Sequence, residues 1–184
     1  MKSLTSHLLV ASPALLDSNF VQTVVLMVQH DSNGALGLIL NRPTLMSLKD
    51  AWDQVSDTEC ERTDSLYLGG PCEGVLMAIH PFAEAAGIEV LPGLYVSSET
   101  EHIETLLKRT EEQRMRFFVG YAGWTAGQLE AELETGSWQT APATIYRVFA
   151  PVETLWRQIK RETALMAIVG TVNPKIMPSD PSNN

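Results

Sequence analysis

The sequence predicts an α+β protein with a mixed, largely antiparallel sheet, and three observations carry that prediction. Two apolar runs flank Asn33-Gly34, the strongest short-range hairpin signal. Further short β-branched or aromatic runs, SLYLGGP, GVLMAIHP, LYVSS, MRFFVGY and ATIYRVF, are bounded by Gly, Pro or Ser and read as strands. Helical segments interleave with these strands without strict alternation, which favours α+β.

In the hairpin, residues 23–30 and 35–40 pair antiparallel, because Asn and Gly tolerate the positive φ that a type I′ turn demands. Neither run alternates apolar with polar, so both faces are covered and the hairpin is central. Asn41-Arg42-Pro43 closes it. SETE, residues 98–101, is a capping box ahead of HIETLLKR, where Ile103, Leu106 and Leu107 make one apolar stripe. Ser47 N-caps LKDAWDQV, and Pro151 is a first-turn proline of VETLWRQIKRE.

The segment GYAGWTAGQLEAELETGSW raises two readings. Thr125 and Gln128 stand in the S/T-x-x-E/Q relation, so Thr125 caps a helix while Gln128 reaches back to the Thr125 amide. Leu129 and Leu133 then face the core, Glu130, Glu132 and Glu134 face water, and Gly136 ends the helix in a left-handed turn. GYAGW becomes the turn from the strand MRFFVGY into that helix: a tight corner, or a glycine-lined anion site at a helix amino terminus. The spacing is neither G-x-G-x-x-G nor a P-loop.

Composition sets the class. The 184 residues fit one domain, placed at 1–172, with 173–184 (NPKIMPSDPSNN) as a disordered tail. With 45% hydrophobic and 19% charged residues the chain has an ordinary globular composition. A formal charge of −9 disfavours direct nucleic-acid binding and anionic membranes. Cys60 and Cys72 offer neither a disulfide framework nor a C-x-x-C pair, which fits a reducing compartment. The start, MKSLTSHLLVASP, lacks the apolar core of a signal peptide, and no apolar run is long enough to span a bilayer. These features read as a cytoplasmic protein without a membrane partner.

Candidate chemistry is sparse. His7, His30, His80 and His102 form no H-E-x-x-H and no i, i+4 pair, so no metal site is expected. His30 and His80 read first as hydrogen-bonded strand-end residues, and His102 as solvated. No G-x-S-x-G elbow exists. Cys72, after Gly69-Gly70-Pro71, is either a small buried apolar residue or a thiol activated by nearby amides. Arg42 leaves an apolar strand and must reach water, a carboxylate or a phosphate. Trp52, Trp124, Trp138 and Trp156 read as core anchors with bonded indole N–H groups. No catalytic constellation and no cofactor are expected.

The order and context of HLLVASPALLDSNFVQTVVLMVQHDSNGALGLILNRP, LYLGGP, AIHP, LYVSS, GYAGWTAGQLEAELETGSWQTAPA, VFAP and LW resemble the YqgE/AlgH family, the UPF0301 group of bacterial proteins. The likeness runs from about His7 to Trp156. It implies a compact fold with a bifurcated sheet and small barrel flanked by helices, and no reaction, since the family is largely uncharacterised with one branch linked to alginate regulation. Cys72 stands where an aliphatic residue commonly follows GGP, and the carboxyl-terminal tail matches poorly.

Three functions are carried forward. The preferred one is a non-enzymatic regulatory or protein-interaction domain, which predicts an exposed apolar patch on one face. The second is a small-molecule or anion-binding protein, or an enzyme, with a pocket formed by Arg42, Gly69, Gly70, Pro71, His80, Gly120, Gly123, Trp124 and Gln128. The third is a transcriptional regulator acting indirectly, since no helix-turn-helix or dense basic stripe is evident.

Overall fold

The computed structural model describes residues 3–109 and 114–171, with side chains through residue 166. The expected tail, 173–184, lies outside the described residues. The chain opens with β1 (His7–Ala11), β2 (Val24–Asp31), β3 (Gly34–Ile39) and β4 (Pro43–Ser47), followed by α1 (Leu48–Trp52). β5 (Ser65–Leu68) and β6 (Cys72–His80) lead through a 3₁₀ turn, Ala83–Ala85, to β7 (Ile88–Leu91), β8 (Leu94–Ser97) and α2 (Thr100–Leu107). β9 (Arg116–Thr125), α3 (Gln128–Glu134), β10 (Trp138–Pro142), α4 (Ile145–Val148) and α5 (Val152–Thr171) complete the described chain.

One strand organises the sheet. The main ladder runs β10-β1-β2-β3-β9-β6-β8-β7, and β4 and β5 branch from it at β9. The first half of β9 lies between antiparallel β6 and parallel β5, with Leu68 beside Val119. Its second half pairs with β3, from Ala122 opposite Gly37 to Thr125 opposite Gly34. The sheet is therefore bifurcated, mixed and largely antiparallel, as the α+β expectation has it. Among the described residues the ladder does not close, its ends being β10 and β7, so an open sheet stands where the resemblance implies a small barrel.

Strand alternation sorts the apolar residues into layers. Leu8, Val10, Val24, Leu26, Val28, Leu38 and Phe118 share one core with Val148 of α4 and Leu155 and Ile159 of α5. Their neighbours Leu9, Ala11, Val25, Met27 and Ile39 face the other way, onto Trp124, Leu129 and Trp138. Phe117, Leu66 and Ala78 face α1 and α2 in a third cluster. The β2–β3 hairpin is buried on both faces, as its unbroken apolar runs predict. Each such Leu or Phe removed from water contributes roughly 1.5–3 kcal/mol.

Several local expectations are corrected. The hairpin loop is Ser32-Asn33, because Asp31 pairs with Gly34. Gly34, at φ +140°, stays in the ladder, where a Cβ would fall 2.3 Å from the Trp124 carbonyl oxygen. The loop is held by the Asn33 amide donating to Asp31 Oδ1 at 2.7 Å, and neither loop residue has positive φ, so it is not a type I′ turn. ATIYRVF is not a strand: Thr144 Oγ1 accepts from the Arg147 amide and starts α4. In SETE the helix begins one residue late, with Glu99 at the N-cap and no side-chain cap bond. Pro151 precedes the first turn of α5, and its carbonyl accepts from Thr154 and Leu155.

GYAGW is likewise strand, not turn, since β9 continues to Thr125. The corner is Gly127, the α3 N-cap at φ +76°. Gln128 Oε1 does accept from the Thr125 amide at 3.1 Å, so half of the expected capping box forms. Gly136 ends α3 left-handed at φ +74°, and Ser47 accepts from the Asp50 amide to cap α1, both as expected. No helix among the described residues is long and apolar enough to cross a membrane.

Candidate functional site

The glycines of the expected pocket meet, and they meet as backbone. At Gly120, φ +70°, β9 passes from β5 to β3. Gly69 bridges the fork: its amide donates to the Val119 carbonyl at 2.9 Å, and its carbonyl accepts from the Ile39 amide at 2.8 Å. A Cβ on Gly69 would lie 2.2 Å from the Gly120 carbonyl oxygen, and one on Gly70 would lie 2.2 Å from the Ala122 nitrogen. Pro71 is exposed beside them, and Cys72 is half-buried opposite Tyr121. Gly123 and Trp124 sit further along β9 opposite Leu36 and Ala35, with Gln128 on the far side of the corner.

Arg42 leaves this group. Its Nη2 donates to the Val21 carbonyl at 2.7 Å, a backbone partner in place of the carboxylate or phosphate considered from sequence. His80 lies elsewhere again, fully buried at the end of β6. Its Nδ1 accepts from the Phe82 amide at 3.2 Å, so Nε2 carries the proton toward Ser97 Oγ at 2.9 Å, and Ser97 Oγ donates to the Ala85 carbonyl at 2.6 Å. Burial, the largest influence, lowers the His80 pKa to about 4.

The second buried histidine ties strand to helix. His30 Nδ1 accepts from the Leu4 amide at 3.0 Å, and Nε2 faces Glu130 Oε1 at 3.0 Å. Glu130 is held below the ordinary carboxylate range, first by its own backbone amide and then by His30. His102, expected to be solvated, has a half-buried ring whose Nδ1 lies 3.7 Å from Glu99 Oε2 and has no hydrogen-bond partner among the described residues. Among the described residues, no group of three His, Cys, Asp or Glu side chains could hold a metal ion.

All four tryptophans are anchored through their indole N–H groups. Trp52 donates to the Thr58 carbonyl and Trp156 to the Ala11 carbonyl. Trp124 and Trp138 both donate to Glu132 Oε2, at 2.9 and 2.8 Å, so Glu132 is an internal acceptor and not the solvent-facing residue expected. Arg116 escaped sequence reasoning altogether. It is only 8% exposed, and it donates through Nη1 to the Leu40 and Val148 carbonyls at 3.2 and 2.9 Å and through Nη2 to the Ala150 carbonyl at 2.6 Å. The signal was available: like Arg42, it borders an apolar strand run and needs partners.

One apolar face is incompletely covered. Leu66 and Leu68 of β5, Phe117 and Val119 of β9, and Ala78 and Leu76 of β6 share a face by strand alternation. The first of each pair lies buried beneath α1 and α2. The second does not: Leu68 is 44% exposed, and Val119 and Leu76 are half-buried. Leu68, Val119 and Leu76 form one row, since Leu68 neighbours Val119 and Val119 neighbours Leu76. Fully exposed Leu45 lies on β4, which among the described residues pairs only with β5.

Comparison with known proteins agrees with this architecture. The family profile described as AlgH-like matches residues 8–166. A UPF0301 protein of Chlorobium luteolum is 40% identical over 163 residues, covering 84% of this chain and 82% of its own. A UPF0301 protein of Stenotrophomonas maltophilia is 36% identical over 162 residues, covering 84% and 86%. The solution structure of the AlgH protein from Pseudomonas aeruginosa superposes with a TM-score of 0.72 at 31% identity, over 94% of this chain and 98% of that one. A Corynebacterium diphtheriae crystal structure, 23% identical with a TM-score of 0.70 over 88% of each chain, shares the fold. This chain belongs to the AlgH-like, UPF0301 family.

Proposed function

We propose that this protein is a protein-interaction domain of regulatory type, acting by binding a partner and not by transforming a substrate. The observation that carries this reading is the row Leu68, Val119 and Leu76, where an apolar sheet face runs out from beneath its covering helices. An isolated exposed leucine needs no explanation, whereas a contiguous apolar row bordered by an edge strand favours an interface. The edge of β4 away from β5, unpaired among the described residues, also offers backbone groups to an extended segment. With a formal charge of −9, the fitting partner is a protein presenting an apolar segment flanked by basic side chains. His30 and His80 support the same reading, because both ring nitrogens of each are committed to bonds that hold the fold.

The test compares the native chain with the double variant Leu68→Asp, Leu76→Asp by gel filtration from the producing cells. Elution of the native chain in a larger species, with the variant eluting as a free monomer and the same Tm within a few degrees, supports the proposal. Identical elution of the two contradicts it. Self-association of the purified native chain through this face would make the occupant a second copy and overturn the choice of partner.

A further inference from the structure

The opposite side of β9 carries a cleft that the apolar row does not use. Arg116 points to the face of Phe118 and Tyr67, away from Val119. It forms the floor of a depression of about 490 Å³, lined also by Arg114, Tyr146, Phe149, Pro151 and Gln158. That size lies within the usual range for small-molecule sites. Two arginines in one cleft of an acidic chain are unexpected, and Arg116 is the more so for being buried.

The charge of Arg116 is not neutralised by an ion pair among the described residues. Its three hydrogen bonds go to neutral carbonyls. A guanidinium has five N–H donors, so two remain after those bonds are made. Glu153, in the first turn of α5, acts on it only through space. Arg114 is exposed and stacks 5.9 Å from the Tyr146 ring centre, while Tyr146 itself is 79% exposed. Phe149 flanks the Arg116 guanidinium, also at 5.9 Å. The amino terminus of α5 opens beside Pro151, and its dipole adds to the same positive potential.

We propose that this cleft binds a phosphate monoester carrying a planar ring, with the phosphoryl group between Arg114 and Arg116 and the ring against Tyr146 and Phe149. A dianion matches two guanidinium groups, and their planar forks suit phosphoryl oxygens. The aromatic walls supply the apolar contact. Arg116 also holds three carbonyls in place, so its removal would confound binding with folding. Arg114 and Tyr146 stand outside those bonds and are the residues to vary.

The experiment is a titration of the isotope-labelled full chain with phenyl phosphate, followed by amide chemical shifts, beside inorganic phosphate, benzoate and phenol. Saturable shifts concentrated at 114–116 and 146–153 are expected. Affinity should be highest for phenyl phosphate, weaker for inorganic phosphate and for benzoate, and absent for phenol. Arg114→Ala should weaken phenyl phosphate by about tenfold, as expected for one charge-assisted contact. Tyr146→Ala should weaken phenyl phosphate while leaving inorganic phosphate unchanged. Absence of shifts at about 10 mM ligand, a weakness beyond millimolar binding, would overturn the site. So would equal binding of phenol, equal binding of benzoate, or unchanged affinity in Arg114→Ala.

Discussion

His80 enters the fold neutral and titrates against it. Its native pKa is about 4, against 6.5 for the free side chain, with burial as the leading cause. Between those values the unfolded chain binds a proton that the native chain does not, so stability rises with pH. The contribution is complete above pH 6.5 and is lost as pH falls through about 4. At 1.36 kcal/mol for each pH unit, the loss amounts to about 3 kcal/mol. The carboxylates Glu84, Glu130 and Glu162, held low chiefly by hydrogen bonds, withdraw their stability only below their ordinary value of 4.5. Urea unfolding at successive pH values should therefore show a slope between 6.5 and 4.5 that flattens in His80→Asn; equal slopes would refute this assignment. Glu132 offers a second residue test, since its Oε2 receives two indole N–H groups. Glu132→Ala leaves both without their acceptor and should cost about 2–6 kcal/mol, at roughly 1–3 kcal/mol for each unmet donor. Glu132→Gln retains a carbonyl acceptor and should lose less, as read by tryptophan fluorescence during unfolding.

At the scale of elements, the fork at β9 depends on backbones touching. Gly69→Ala places a methyl 2.2 Å from the Gly120 carbonyl oxygen, a backbone atom shared with the ladder that cannot turn aside. We expect loss of more than about 3 kcal/mol or failure to fold. Gly127→Ala, at φ +76° with open space around it, should cost only about 1–2 kcal/mol. Comparable melting temperatures for the two variants would contradict the steric basis of the fork. These same elements show what was legible beforehand. The buried hairpin, the four strands SLYL, GVLMAIH, LYVS and RFFVGY, the Ser47 cap and the Gly136 stop could be read, because each rests on local pattern or turn chemistry. ATIYRVF was misread because β-branched and aromatic residues also suit a short capped helix, and Thr144 decides between them. The loop shift at Ser32-Asn33 and the strand character of GYAGW were hidden, since both depend on Gly34 and Gly120 packing against other chain segments.

Across the whole molecule, β9 separates two surfaces of different chemistry. One side presents the apolar row of Leu68, Val119 and Leu76, and the other the arginine cleft. Neither was legible as a site in the sequence. Leu68 and Leu76 look like any strand residues until the register shows that α1 and α2 stop short of them, and Arg116 looks like the edge of a strand until its carbonyl partners appear. The local spacing of Gly69, Gly70 and Gly120 marks the fork and not a pocket. Because the two surfaces face apart, Leu68→Asp should leave phenyl phosphate binding within about twofold of the native chain, as expected for sites without shared partners. The interaction reading is tested most directly by placing a photo-crosslinking amino acid at position 68 and, as a control, at exposed position 134 on α3. Illumination in the producing cells should give one discrete protein adduct from position 68, absent from position 134 and abolished by Leu76→Asp. Equal adducts at both positions, or none at position 68, would contradict an interface on this face.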